Sequence, residues 1–360
     1  MTGRALVAGV TGITGGALAA RLAANGWTVH GLSRRPPRRP VDGVELVHAD
    51  LADVAATREA LRGLDVTHVF FCTWSRQPTE AGNCAVNGAM LRNLLEAVEP
   101  APGLRHVALV TGLKHYLGPF EAYAKARPET PFREDQPRLP YENFYYVQED
   151  VLFEAAARRG FTWSVHRPHT VIGFAVGNAM NMGVTLAVYG TICRETGRPF
   201  VFPGSPEQHE AVTDVTDARL LAGQLEWAAT EPAVANQALN VVNGDVFRWR
   251  RMWNVVGAGL GVEPAPYPGR PTPLEEQMAD SGPVWERIAA GHGLVEPDVG
   301  ALASWWHTDA DLGRTLETFT HMGKSRSLGF LAYQDTERSF LDLFDRLRAE
   351  RIIPPLALPG

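Results

Sequence analysis

Over the first half of the chain, short apolar runs alternate with longer segments whose apolar positions recur at helical spacing. Residues 5–10 (ALVAGV) form an apolar run ending at glycine, the pattern of a parallel strand covered on both faces. Residues 14–25 are alanine-rich, carry helical periodicity and stop at Gly26, so they predict a helix. The alternation continues with strands at 28–33 and 44–49, a helix at 55–62, a strand at 68–73, a helix at 83–98 and a strand at 106–111. A proline-containing loop over 117–142 leads into a helix at 145–159 and a strand at 162–167. This order predicts the α/β class, with a Rossmann-type doubly wound parallel sheet.

Beyond residue 172 the rhythm loosens. Helices are expected at 179–195, 215–229 and 249–260, and strands at 199–203 and 237–242. Residues 261–285 are proline-rich and poorly periodic, and amphipathic helical segments follow near 284–291, 300–318 and 336–350. The expected division is a cofactor-binding Rossmann domain over 1–172, with the loop 117–142 over its site, and a smaller, mostly helical substrate lobe over 173–360. Some segments of that lobe are expected to return to the sheet.

At 360 residues the chain is long enough for two such lobes. Its 45% hydrophobic and 21% charged content is that of a globular protein, and a net charge of −6 gives no electrostatic support for nucleic-acid or anionic-membrane binding. No run approaches the roughly 20 apolar residues of a membrane span. The first strand begins too close to Met1 to leave room for a signal peptide. Cys72, Cys84 and Cys193 lie in apolar segments and read as reduced core thiols, so a cytoplasmic protein is expected. His106, His166, His169 and His209 show no metal-ligand spacing, and no metal site is expected. The arginine-rich C-terminal helices leave a homodimer open.

Gly9, Gly12 and Gly15 fall in the spacing GxxGxxG between a predicted strand and a predicted helix. Such glycines permit a tight turn and let the backbone N–H groups around Thr11, Gly12 and Ile13 approach a pyrophosphate. The second strand ends in Ser33-Arg34-Arg35 rather than in an acidic residue that would accept from a ribose 2′-OH. Paired arginines suit a 2′-phosphate, which favours NADPH over NADH; the bland alternative is a solvated basic loop. Asp50 and Leu51, after the third strand, stand where this fold contacts adenine, and Asp50 reads equally well as a helix cap.

Lysine is scarce: the 34 basic residues include only Lys114, Lys125 and Lys324. Lys114 stands in VTGLKHY, at the end of the fifth strand, where a reductase of this kind normally places a serine. Ordinary short-chain reductases use a Tyr-xxx-Lys pair one helical turn apart, the lysine lowering the tyrosine pKa. Here Glu149 stands four residues after Tyr145 and Asp150 four after Tyr146, so the helix lysine is missing. Lys114 with Tyr145 reads as a split version of that pair; the alternative is a structural ion pair and two packed tyrosines.

The motifs GVTGITG, GLSRRP, THVFFCTW, NCAVNGAMLRNLLEAV, TGLKHYLGPF, FREDQPRLPYENFYYVQED, WSVHRPHTVIGF, NGDVFRWRRMW and SLGFLAYQDTERSF occur together along nearly the whole chain. In these the chain resembles the progesterone 5β-reductase/iridoid synthase family, an atypical branch of the extended short-chain dehydrogenases/reductases. The resemblance implies Lys114 as catalytic lysine and Tyr145 as catalytic tyrosine. It implies cofactor contacts at Thr11, Gly12, Ile13, Arg34, Arg35, Asp50, Leu51, Thr73, Val110, Tyr145, Ile172 and Met180. The implied reaction is NADPH-dependent reduction of the C=C bond of a small-molecule enone, with hydride added at the β-carbon. His169 and the stretch AVGNAMN depart from the family's pattern, which bears on substrate preference rather than reaction type.

Candidate walls of an apolar substrate pocket are Trp74, Phe120, Met182 and Val184, each equally open to a core-packing role. His115 and Tyr116 flank Lys114, and a histidine there reads first as a structural donor. Asn83 and Asn87, one helical turn apart, are expected to bond backbone across the sheet. Two rival readings stand beside the main one. A carbonyl reductase or sugar-nucleotide epimerase of the extended type is disfavoured by the missing helix lysine. A non-catalytic NADP(H)-sensing protein is disfavoured by the Lys114–Tyr145 pair.

Overall fold

The run RALVA becomes β1 (Arg4–Ala8), with every residue but the first fully buried. The segments after it form β2 (Thr28–Ser33), β3 (Val44–His48), β4 (His68–Phe71), β5 (His106–Val110) and β6 (Thr162–Pro168), and β7 (Gln237–Val241) completes the sheet. The computed structural model describes residues 3–38, 41–98, 103–119, 122, 128–178 and 180–356. All seven strands pair in parallel in the order β3-β2-β1-β4-β5-β6-β7. The direction of winding reverses between β1 and β4, and in such sheets ligands bind outside the carboxyl ends of the strands at that reversal.

The connecting helices are α1 (Ile13–Ala24), α2 (Val54–Ala60), α3 (Glu80–Ala97), the short α4 (Lys114–Leu117), α5 (Phe144–Arg159) and α6 (Ala218–Thr230), with α7 (Gly323–Ser327) later in the chain. Packing sorts the chain into two compact units: 1–169 with 218–242 and 320–332, and 170–217 with 243–319 and 333–360. All of β1–β7 and α1–α7 belong to the first. Among the described residues no helix is long and apolar enough to cross a membrane. Cys72 and Cys84 are only partly covered, Cys193 is buried, and none forms a disulfide.

The second unit is built from helices Met182–Thr196, Trp249–Leu260, Ser281–His292 and Thr336–Ala349 around an aromatic core. Phe200 stacks on Trp253 with ring centroids 4.3 Å apart, and Phe340 and Phe344 fill the space beside them. The strand expected at 199–203 is absent. Phe200 makes a single bridge to Pro264, and Pro199 and Pro203 deny the segment the N–H groups a ladder needs. The helix expected from 179 starts at Met182, where Asn181 Oδ1 accepts the Val184 N–H. Thr216–Asp217 pairs as a short strand with Val171–Ile172 instead of opening a helix. The helical span expected over 300–318 is a 3-10 turn, Val299–Ala301, and a helix, Trp305–Leu312.

In the first unit a buried polar chain crosses the sheet between β5, β6 and α6. His106 bonds Thr162 Oγ1 and Ser164 Oγ, Ser164 Oγ bonds His166 Nε2, and His166 Nδ1 bonds Gln224 Oε1, all within 2.9 Å. Gln224 Nε2 then donates to Asn240 O and Ser325 Oγ at 3.0 Å. Burial lowers the imidazole pKa values, to about 4 for His166 and about 3 for His106 from an ordinary 6.5. The folded state therefore resists protonation that the unfolded chain accepts. Stability is full above pH 6.5 and falls as the pH drops toward 4, by about 1.4 kcal/mol per pH unit for each such histidine. Urea unfolding between pH 7 and 4.5 checks this; His166→Gln is expected to flatten the slope, and an unchanged slope would count against His166 as a source.

Candidate active site

The turn between β1 and α1 is made by backbone alone. Gly9 takes φ +88°, and a Cβ there would meet the Cys72 carbonyl oxygen at 2.8 Å. Gly15 is tighter, because its Cβ would stand 2.2 Å from the Gly9 carbonyl oxygen. Gly12 N–H donates to Gly9 O at 2.9 Å, and Gly12 is the N-cap of α1, with no side chain to cover the first-turn N–H groups. Thr11 is exposed at the tip, and Ile13 turns into the core. A 12-residue helix whose N-terminus is reached through glycines is a phosphate cradle, so these residues fit a dinucleotide.

The other expected cofactor contacts of the first unit follow successive strand ends. Arg34 and Arg35 are exposed after β2, where Ser33 Oγ donates to Arg35 O at 2.7 Å. Asp50 follows β3 and accepts the Ala52 N–H, whereas Asp53 caps α2 by accepting the Ala56 N–H. The cap reading therefore belongs to Asp53 and not to Asp50. Leu51 is buried, with its carbonyl held by Asn93 Nδ2 at 2.8 Å. Thr73 and Trp74 follow β4, and Val110 ends β5. The segment carrying Thr73 and Trp74 is pinned by α3. Asn87 bonds both backbone groups of Ser75, and Asn83 Oδ1 accepts the Gln77 N–H. The two asparagines thus hold this loop; they do not bond across the sheet.

Lys114 opens α4, immediately after the β5 end, and is 6% exposed. Its Nζ lies 4.9 Å from the Phe144 ring centroid and 5.4 Å from that of Trp74. These rings stack on one another at 5.3 Å, and the Tyr145 ring packs on Phe144 at 4.4 Å. A Cβ on Gly112, two residues before Lys114, would lie 3.2 Å from Tyr145 Oη. Lys114 Nζ and the Tyr145 ring, supplied by separate segments, thus both pack against Phe144. Asn143 Oδ1 accepts the Tyr145 N–H and Glu80 Oε1 the Phe144 N–H, so α5 begins one residue earlier than its apolar pattern suggests.

Three buried or half-buried charges were not legible as a group. Glu149 Oε1 accepts from Arg167 Nη2 at 3.1 Å and Oε2 from Arg138 Nη2 at 3.0 Å, while Arg138 also reaches Asp150. His115 Nδ1 stands 3.7 Å from Glu149 Oε1, beyond hydrogen-bond reach. Burial pushes the Glu149 pKa up, but the imidazole and the two guanidiniums beside it outweigh burial and hold the carboxyl at about 2. Burial keeps His115 below the ordinary histidine range against the pull of Glu149. A capping asparagine before an apolar run is a sequence signal for Asn143; no local signal joins Arg138, Glu149 and Arg167.

The remaining expected residues lie in the second unit. Ile172 is 1% exposed, and Met180 N–H donates to Asn178 Oδ1 at 3.0 Å. Met182 and Val184 sit in that unit's core cluster, in keeping with the packing role weighed for them. Phe120 lies outside the described residues. Among the described residues no group of three or more His, Cys, Asp or Glu side chains is placed to hold a metal ion.

A model of the PRISE-like Rossmann-fold domain matches residues 32–354. The chain belongs to this family. It is 42% identical to an (S)-8-oxocitronellyl enol synthase of Camptotheca acuminata, over 97% of this chain and 93% of that protein. It is 41% identical to a 3-oxo-Delta(4,5)-steroid 5-beta-reductase of Arabidopsis thaliana, with the same coverage of each. Among solved structures it resembles a UDP-glucose 4-epimerase from Thermotoga maritima, with a TM-score of 0.69 at 14% identity over 96% of this chain and 99% of that one. It also resembles a Thermus thermophilus UDP-glucose 4-epimerase solved with NAD, at TM-score 0.67 and 19% identity over 96% and 99% of the two chains. These two likenesses show the fold alone and nothing about substrate. The first unit of the PRISE-like chain is thus a Rossmann fold with a glycine turn at the end of β1. Gly15→Ala is expected to abolish binding of the reduced dinucleotide in a fluorescence titration, because the added methyl must part the β1–α1 turn. Wild-type affinity in that variant would remove the turn from the site.

Proposed function

We propose that this PRISE-like protein is an NADPH-dependent ene-reductase that reduces the C=C bond of α,β-unsaturated ketones or aldehydes. The reaction class follows from the family, whose relatives carry names of an enol synthase and of a steroid 5β-reductase. The observation that supports the mechanism is a buried Lys114 whose ammonium packs against Phe144, the ring on which the Tyr145 ring also packs. When bound, NADPH supplies the hydride taken up at the substrate's β-carbon. Negative charge then grows on the substrate carbonyl oxygen, and Tyr145 Oη donates to that oxygen. Lys114, poorly solvated and held against two aromatic faces, stabilises the same charge more strongly than an ammonium in water could. Both donors act on charge that exists only after hydride arrives, so they lower the barrier rather than tighten substrate binding.

Gly9, Thr11, Gly12, Ile13 and Gly15 would hold the pyrophosphate, with Asp50, Leu51, Thr73 and Val110 along the strand ends. Arg34 and Arg35 would pair with the 2′-phosphate that distinguishes NADPH from NADH. Trp74, beside the Lys114 ammonium, is the first-unit candidate for touching an enone. In this reading the second unit serves as the substrate lobe.

Lys114→Ala and Tyr145→Phe are each expected to lower kcat by about 100-fold, equivalent to roughly 3 kcal/mol, with NADPH affinity little changed. Steady-state assays with cyclohexenone check this, and near-normal turnover in both variants would remove the mechanism. Cyclohexanone as product supports ene reduction; an allylic alcohol would reassign the protein as a carbonyl reductase. Arg34→Ala with Arg35→Ala is expected to cut the NADPH-over-NADH preference in kcat/KM by on the order of 10- to 100-fold. An unchanged ratio would detach the arginines from the 2′-phosphate.

A further inference from the structure

The α4 turn is secured at three consecutive residues. Asn143 Nδ2 donates to Lys114 O at 2.7 Å, and Tyr146 Oη donates to His115 O at 2.6 Å. Tyr116 Oη donates to Asn240 Oδ1 at 2.6 Å, while its ring stacks on Phe132 with centroids 5.1 Å apart. Two of these anchors come from the start of α5. Tyr146 does a second job, since its hydroxyl also accepts the Leu139 N–H at 3.0 Å and ties the preceding loop to the same point. One turn along α5, Glu149 faces the His115 ring and is locked between Arg138 and Arg167; Arg167 Nη1 reaches Tyr116 Oη at 3.3 Å. Buried ion pairs of this kind do little for net stability, but they tolerate few alternative geometries.

We propose that Tyr146 and Glu149 are positioning residues that fix the α4 turn and thereby the place of the Lys114 ammonium. Glu149 occupies the helix position, four residues after Tyr145, at which ordinary short-chain reductases carry their lysine. In this chain the lysine has moved to the strand-end turn, and the vacated helix position is used to hold that turn. Tyr146, the second tyrosine of the pair, contributes through the His115 carbonyl and not through the substrate. The inference rests on the proposed role of Lys114 for its effect on turnover, but not for its effect on where the ammonium sits.

The scarcity of lysine makes the position of that ammonium directly readable. Protein labelled with carbon-13 at the lysine ε-carbons yields signals from Lys114, Lys125 and Lys324 alone, and Lys114→Met assigns the first. The Lys114 signal is sensitive to the ring faces of Trp74 and Phe144. In Tyr146→Phe and Glu149→Gln that signal is expected to shift by more than those of Lys125 and Lys324. Turnover of cyclohexenone should fall by roughly 10-fold or more, with the NADPH KM within about 2-fold of wild type. Should Glu149→Gln fail to fold, Tyr146→Phe decides alone, since it removes a single hydroxyl. An unmoved Lys114 signal overturns the proposal, whatever happens to kcat. A shifted signal with undiminished kcat supports the positioning role and sinks instead the reading of Lys114 as the enolate's partner.

Discussion

A buried ammonium is the constraint around which the first unit is organised. Taking a lysine side chain out of water is costly unless its surroundings return the lost solvation. Here part of that return comes from the faces of Phe144 and Trp74, and the remainder of the α4 turn is bonded so that the charge has one place to go. Lys324 makes the contrast: half-buried, it donates directly to the Ala238 carbonyl and serves α7 and β7. A lysine satisfied in that way is structural. Lys114 is held through its backbone carbonyl, and its ammonium lies against the Phe144 and Trp74 rings.

The sheet supplies the address. Because winding reverses between β1 and β4, the carboxyl ends of β1, β2, β3, β4 and β5 present in turn the glycine turn, the arginine pair, Asp50 with Leu51, Thr73 with Trp74, and Lys114. Helix α5 then carries Tyr145 to the β5 end, where Gly112 leaves room for the phenol: any side chain there would press on Tyr145 Oη and on the Pro168 carbonyl, each 3.2 Å from its Cβ. Glu80 links α3 to the first N–H of α5, so the loop bearing Trp74 and the helix bearing Tyr145 are referenced to the same element.

Much of this was legible in the chain because it is local. Short apolar runs locate β1 to β5, and the GxxGxxG spacing locates the turn after β1, since both signals arise within ten residues. The rarity of lysine singled out Lys114 before any contact was known. What was not legible depends on distant partners. Nothing in the stretch holding Arg138 or Arg167 announces that both guanidiniums meet at Glu149, and the polar chain from His106 to Gln224 joins residues more than a hundred positions apart. The second unit failed differently. Phe200 and Phe202 have strand composition, but flanking prolines and a crowded aromatic core set the backbone, so tertiary packing overrode propensity there.

The charge balance around Glu149 also explains why the two lysine placements are separate solutions and not interchangeable ones. The carboxylate sits between Arg138 and Arg167, and Arg138 also bonds Asp150. A lysine in place of Glu149 would bring a third cation against two that have just lost their shared partner, one of which, Arg167, is too buried for water to screen. A lysine at that helix position would therefore face a buried Arg167 without its carboxylate, beside the bond from Arg167 to the Tyr116 hydroxyl. That coupling, more than the backbone, separates a chain that carries its ammonium on α4 from one that carries it on α5.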